Sequence, residues 1–84
     1  MKQVIVYTTQ PCARCGTAKA LLTKRGVAFE EVNLSKDPVG RAELARRTGL
    51  ATFPQIVVAG QTLGGLDDLR AAVEDGRLSE LLTA

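Results

Sequence analysis

Histidine and tryptophan are absent from this 84-residue chain, and aromatic residues are scarce: one tyrosine and two phenylalanines. Without histidine there is no imidazole base for a catalytic triad, no imidazole metal ligand and no ordinary titration switch near neutral pH. A charge excess of either sign is also missing, since 11 Lys and Arg face 9 Asp and Glu for a net charge of +2. The basic residues are scattered and lack aromatic company, so nothing marks a nucleic-acid surface. The apolar run Val4–Tyr7 is far short of a membrane span. Residues 1–15 carry no long apolar stretch of the signal-peptide kind, which makes a cytoplasmic location the expectation. Two cysteines are too few for a multi-bridge scaffold of the small secreted type. The length suits one domain over residues 1–84, and a chain 45% hydrophobic and 24% charged has the makeup of an ordinary globular protein.

Gln3–Thr8 reads as a buried strand, because Val4, Ile5, Val6 and Tyr7 favour extended backbone and form a near-continuous apolar run. Thr9-Gln10-Pro11 ends it. From Ala13 to about Arg25 the chain reads as a helix, with Ala18, Leu21 and Leu22 on one face and Lys19 and Lys24 toward water. Gly26 stops it. Val27–Leu34 reads as a second strand. Asp37-Pro38 opens a second helix, whose apolar side is Val39, Ala42, Leu44 and Ala45, and Thr48-Gly49 closes it. Gln55–Ala59 is a third strand; Gly60-Gln61 turns the chain into a brief strand at Thr62-Leu63. Gly64-Gly65 leads to a last helix with Leu66, Leu69 and Val73 as its buried stripe. Leu78, Leu81 and Leu82 then form a short helical segment. The order β-α-β-α-β-β-α predicts an α/β fold, with a parallel βαβ unit followed by an antiparallel hairpin.

The chemistry stands at Cys12-Ala13-Arg14-Cys15, between the first strand and the first helix. There a sulfur faces unpaired amide groups and the positive end of a helix dipole, which stabilise the thiolate that attacks in disulfide exchange. Arg14 and Lys19 add positive charge. The spacing lets Cys15 reach the Cys12 sulfur after one helical turn, so the pair can pass between dithiol and disulfide. Cys12 reads as the exposed nucleophile and Cys15 as the resolving thiol. Two other readings remain: an inert structural pair, or half of a metal site completed by a second chain. Elsewhere, Thr52-Phe53-Pro54 offers a proline that leaves backbone groups near Phe53 free to pair with an extended substrate, or a plain turn. Gly64-Gly65 beside Asp67-Asp68 offers either a site for a carboxylate and an ammonium or ordinary helix capping.

Taken together, Val4–Thr8, Cys12-Ala13-Arg14-Cys15, Thr52-Phe53-Pro54-Gln55 and Gly64-Gly65-Leu66-Asp67-Asp68-Leu69 resemble a small bacterial glutaredoxin over essentially the whole chain. The resemblance implies a thioredoxin-like fold, with a four-stranded mixed sheet flanked by three helices. It implies reduction of protein disulfides and glutathione mixed disulfides, with glutathione as co-substrate and no tightly bound cofactor. Cys12 matches the nucleophile, Cys15 the resolving thiol and Pro54 a cis-proline. Phe53 stands where a residue's backbone pairs with the glutathione cysteine. Thr52, Gly65, Leu66, Asp67 and Asp68 match the glutathione-binding segments, Arg14 adds a cation between the thiols, and Arg46 matches a position that holds the glycine carboxylate. The implied partners are glutathione and disulfide-containing proteins, among them ribonucleotide reductase, for a monomer that binds neither nucleic acid nor membrane.

The chain also departs from the family. Ala13 and Arg14 replace the Pro-Tyr usual between the thiols, Thr9 stands where a lysine is common, and Leu66 stands where a cysteine is common. Weaker glutathione binding, with Arg46 carrying more of it, is the consequence. The same departures resemble a redoxin branch that is reduced by thioredoxin reductase and feeds ribonucleotide reductase. The missing proline also leaves open an iron–sulfur carrier, with Cys12 of two protomers and two glutathiones around one cluster.

Overall fold

A computed structural model describes residues 2–83. Its elements are β1 (Val4–Thr8), α1 (Ala13–Lys24), β2 (Glu30–Asn33), α2 (Pro38–Thr48), β3 (Gln55–Val58), β4 (Gln61–Gly64), α3 (Leu66–Glu74) and α4 (Arg77–Thr83). The four strands form one sheet in the order β2-β1-β3-β4. β1 runs parallel to β2 and antiparallel to β3, and β3 runs antiparallel to β4. The sheet is therefore mixed, as expected, and the apolar strand β1 lies inside it. Its register places Tyr7 opposite Gln55, while Ile56 faces Gly64. The end of β1, the start of β3 and the end of β4 thus meet at one end of the sheet, and the loops from all three gather there.

Alternation along β1 sends Val4, Val6 and Thr8 to one buried face. Val4 and Val6 pack there with Ile56 and Val58 of β3, Ala18 and Leu22 of α1, Leu66, Leu69 and Ala72 of α3, and Leu78 and Leu82 of α4. Burying a Leu or Ile side chain contributes about 1.5–3 kcal/mol, so this cluster is the main source of stability.

The structure revises several boundaries. The second strand is only Glu30–Asn33, not Val27–Leu34. Val27 and Leu34 are buried and Phe29 partly so, but as loop residues leaning on the core, which is why an apolar pattern outran the strand. β4 begins at Gln61, and the hairpin turn is Ala59-Gly60, both with positive φ. In α2 only Leu44 is buried, and Val39 is 77% exposed, so the apolar side read for this helix shrinks to one anchor. In α3 the buried third position is Ala72, with Val73 at the margin. The short helical segment expected at the terminal leucines is present as α4, with Leu78 and Leu82 buried.

Helix ends follow from their residues. Asp37 Oδ1 accepts from the Gly40 N–H at 2.8 Å, Pro38 occupies the first turn, and Gly49 closes α2 in the left-handed conformation (φ 76°). Gly64 has φ 129°, and a Cβ there would collide with the Asp68 carboxylate that caps α3. A side chain at position 64 would therefore displace the cap as well as strain the backbone.

Candidate active site

Cys12 is the N-cap of α1, in extended conformation (φ −157°, ψ 96°), and its Sγ accepts from the Cys15 N–H at 3.1 Å. No acidic side chain sits in the first turn of α1, so no carboxylate competes for those amide groups. Cys12 and Cys15 are joined as a disulfide with their Cα atoms 5.3 Å apart. Cys12 is half-buried, whereas Cys15 is 3% exposed. An incoming reactant therefore meets the Cys12 sulfur first. The preceding turn contains a cis Gln10–Pro11 bond that sequence reasoning did not anticipate.

A cavity of about 520 Å³ opens beside the two sulfurs, with Thr8, Gln10, Lys19 and Glu31 in its wall. A larger hollow, about 760 Å³ between Lys2, Arg25 and Leu82, holds neither thiol. In the first cavity the Thr8 hydroxyl donates to Glu31 Oε2 at 2.8 Å, and Lys19 Nζ donates to Glu31 Oε1 at 3.0 Å. Lys19 is thus committed to Glu31, and the charge expected near Cys12 is neutralised by a neighbour. The amide groups at the start of α1 face the sulfur directly, through the Cys15 N–H.

The Thr8 hydrogen bond, followed by that of Lys19, holds the Glu31 carboxyl below its usual range. A carboxyl lowered on folding stabilises the native state above its unfolded pKa, and this contribution is lost as pH falls through the folded value. Urea denaturation at successive pH values below about 4.5 should show this loss in the wild type. The loss should be smaller in Glu31→Gln, whose amide oxygen can still accept from Thr8. Parallel acid limbs in the two proteins would contradict the assignment.

The Phe53–Pro54 peptide is cis, as the resemblance implied. Pro54 is buried, Phe53 half-buried and Thr52 exposed. This loop is fastened by Gln55, a side chain that sequence reasoning passed over as part of a strand. Gln55 is 1% exposed. Its Nε2 donates to the Leu50 and Thr52 carbonyls, both at 3.0 Å, and its Oε1 accepts from the Thr48 hydroxyl at 2.9 Å. Two carbonyls on one side require the amide nitrogen there, so the orientation follows from chemistry. The end of α2, the loop 49–54 and β3 are thereby tied together at the backbone that precedes Pro54.

The start of α3 lies against this loop, since a Cβ on Gly65 would stand 3.5 Å from the Pro54 carbonyl. Leu66 is 2% exposed and part of the core, so only its backbone can face a ligand. Asp68 Oδ2 accepts from the Gly65 N–H at 3.0 Å and is occupied as a cap. Asp67 is the open carboxylate. It meets Arg14 Nη2 at 3.3 Å and Arg70 Nη1 at 3.6 Å. The Arg14–Asp67 pair joins the first turn of α1 to α3, a contact invisible in the sequence. Arg46 lies near the end of α2, exposed and paired with Glu43 at 2.5 Å. Among the described residues, no group of three or more His, Cys, Asp or Glu is arranged to hold a metal ion, and no helix is long and apolar enough to cross a membrane.

Comparison with known proteins agrees with this geometry. The family model described as "Glutaredoxin" matches residues 4–63. The chain is 45% identical over 84 residues to the glutaredoxin of Pseudomonas aeruginosa, covering all of both chains. It is 42% identical over 82 residues to glutaredoxin 3 of Escherichia coli K12, covering 98% of this chain and 99% of the relative. Among solved structures it is similar to a glutaredoxin from Brucella melitensis, with a TM-score of 0.86, 45% identity and coverage of 98% and 89% of the two chains. A buckwheat glutaredoxin–glutathione complex superposes with a TM-score of 0.87 at 27% identity, covering 98% and 77%. With a redox-active cysteine pair at the head of α1 and relatives matched along nearly its whole length, the chain belongs to the glutaredoxin family.

Proposed function

We propose that the protein is a glutathione-dependent thiol–disulfide oxidoreductase in which Cys12 attacks and Cys15 resolves. The observation that carries the role assignment is the half-buried Cys12 at the amide-rich end of α1, with Cys15 almost fully buried one turn inside. In the reduced enzyme the Cys12 thiolate attacks a substrate sulfur. A new S–S bond forms, the substrate's S–S bond breaks, and its other half leaves as a thiolate that takes a proton from water. Cys15 then loses its proton and attacks the Cys12 sulfur. This closes the intramolecular disulfide and releases the substrate reduced by two electrons. Two glutathione molecules return the pair to dithiol and leave as glutathione disulfide.

The bend at Thr52 and Phe53, held by the cis-proline Pro54 just before β3, leaves backbone groups outside the sheet ladder, which supports pairing with the cysteine portion of glutathione. Gly65 and Leu66 follow beside this loop and would meet the tripeptide through backbone. Asp67 is the acceptor for the γ-glutamyl ammonium, while Asp68 holds the end of α3 in shape. Arg46 can turn from Glu43, an exposed and easily exchanged pair, to the glycine carboxylate. Glutathione itself and disulfide-containing proteins, ribonucleotide reductase among them, are the partners of this reading. A monomer in the reducing cytoplasm, built as one glutaredoxin-like domain, is the form in which it would work.

The test is parallel reduction of the oxidised protein, with NADPH consumption as the common readout. One arm supplies glutathione and glutathione reductase, the other thioredoxin reductase. The glutathione arm should be at least about tenfold faster, a difference of roughly 1.4 kcal/mol in barrier. Faster reduction in the thioredoxin reductase arm would overturn the glutathione assignment.

A further inference from the structure

We infer that Arg14, through its contact with Asp67, is a specificity-determining residue that reads the zwitterionic α-amino-acid head of a γ-glutamyl substrate. The inference rests on the glutathione reading above and extends it to a residue inside the cysteine motif. Arg14 Nη2 lies 3.3 Å from Asp67 Oδ2, with the two side chains 56% and 79% exposed. A pair so open to solvent is weak and exchanges its partners readily. Arg14 also stands in the first turn of α1, two residues from Cys12, and its side chain spans from there to the start of α3.

A γ-glutamyl head presents an ammonium and a carboxylate on one carbon. Inserted between Arg14 and Asp67, it gives the ammonium to Asp67 and the carboxylate to Arg14, turning one ion pair into two. No net charge is added, because the head is neutral overall. The planar guanidinium can grip the carboxylate through two parallel hydrogen bonds, which lysine cannot reproduce. Arg70 Nη1, 3.6 Å from Asp67 Oδ1, keeps Asp67 partnered while Arg14 swings away. Asp68 takes no part, being held by the Gly65 N–H.

The experiment compares two mixed disulfides of one peptide, carrying either glutathione or N-acetyl-cysteinyl-glycine, which lacks the γ-glutamyl head. The readout is the ratio of their kcat/KM values, which cancels any effect of Arg14 on the intrinsic reactivity of Cys12. The wild type should favour the glutathione form. Arg14→Ala should lower that ratio about 5- to 10-fold, mainly through KM, as expected for loss of a charge-assisted contact. Arg14→Lys should restore part of it. Asp67→Asn should lower it too, and the double variant should fall by less than the product of the single effects. An unchanged ratio in Arg14→Ala overturns the inference while leaving glutathione use intact. A raised ratio overturns it as well, because Arg14 would then only obstruct Asp67. A wild type indifferent to the γ-glutamyl head removes both the inference and the glutathione subsite on which it rests.

Discussion

Cys12→Ser should lower turnover of a glutathione mixed-disulfide peptide by more than about a thousandfold, because a serine hydroxyl stays protonated and cannot form the mixed disulfide. Cys15→Ser should keep measurable turnover on the same substrate, since external glutathione can attack the Cys12-bound sulfur directly. The asymmetry follows from position. Cys12 is half-buried at the helix N-cap, while Cys15 is 3% exposed and reached only from within. On a protein disulfide, Cys15→Ser should instead stall as a covalent complex through Cys12, visible by mass spectrometry and released by dithiothreitol. Activity that survives Cys12→Ser but is lost in Cys15→Ser would reverse the assignment.

Gln55→Glu should destabilise the protein by about 3 kcal/mol or more at pH 7, although the two side chains have nearly the same shape. The position is 1% exposed and faces the Leu50 and Thr52 carbonyls. An ionised carboxylate there would set negative oxygen against two acceptors and lose both hydrogen bonds. The new carboxyl should therefore titrate above its unfolded value. A group shifted upward in this way carries a penalty that is absent below the unfolded pKa, about 4.3, and grows with pH until the folded pKa is passed. Urea denaturation of wild type and variant at pH 3.5 and pH 7 should show the gap widen with pH. In folded variant, the loosened Thr52–Phe53 backbone should raise KM for glutathione more than it lowers kcat. A gap independent of pH would mean that the carboxylate finds other partners and that Gln55 does not clamp the loop.

Much of this architecture could be read from local pattern because local chemistry decides it. Val4–Tyr7 can be stable only as a buried strand. Asp37-Pro38 supplies both a cap and a compatible first turn, and Cys12 falls where a strand must give way to a helix. Errors arose where tertiary packing overrides the pattern. Val27 and Phe29 are apolar because they lean on the core rather than because they lie in β2, and Val39 is exposed because α2 is anchored by Leu44. Gln55 was missed because a polar residue next to Ile56 looks like the solvent face of a strand. Its three partners come from α2 and the following loop. The pairs Lys19–Glu31 and Arg14–Asp67 join distant segments, and both alter the electrostatics a motif alone suggests. Lys19 is engaged by Glu31 and Arg14 only loosely by Asp67, so the backbone amides of α1 are the fixed part of the field at Cys12.

That dependence on backbone rather than on a neighbouring cation can be measured directly. In the fully reduced protein, iodoacetamide at pH 7 with peptide mapping should label Cys12 well before Cys15, and at least about tenfold faster than free cysteine. The advantage should persist in Lys19→Met, because the helix amides remain. Labelling of Cys12 no faster than the free amino acid, or an advantage that disappears in Lys19→Met, would contradict a thiolate held by the end of α1.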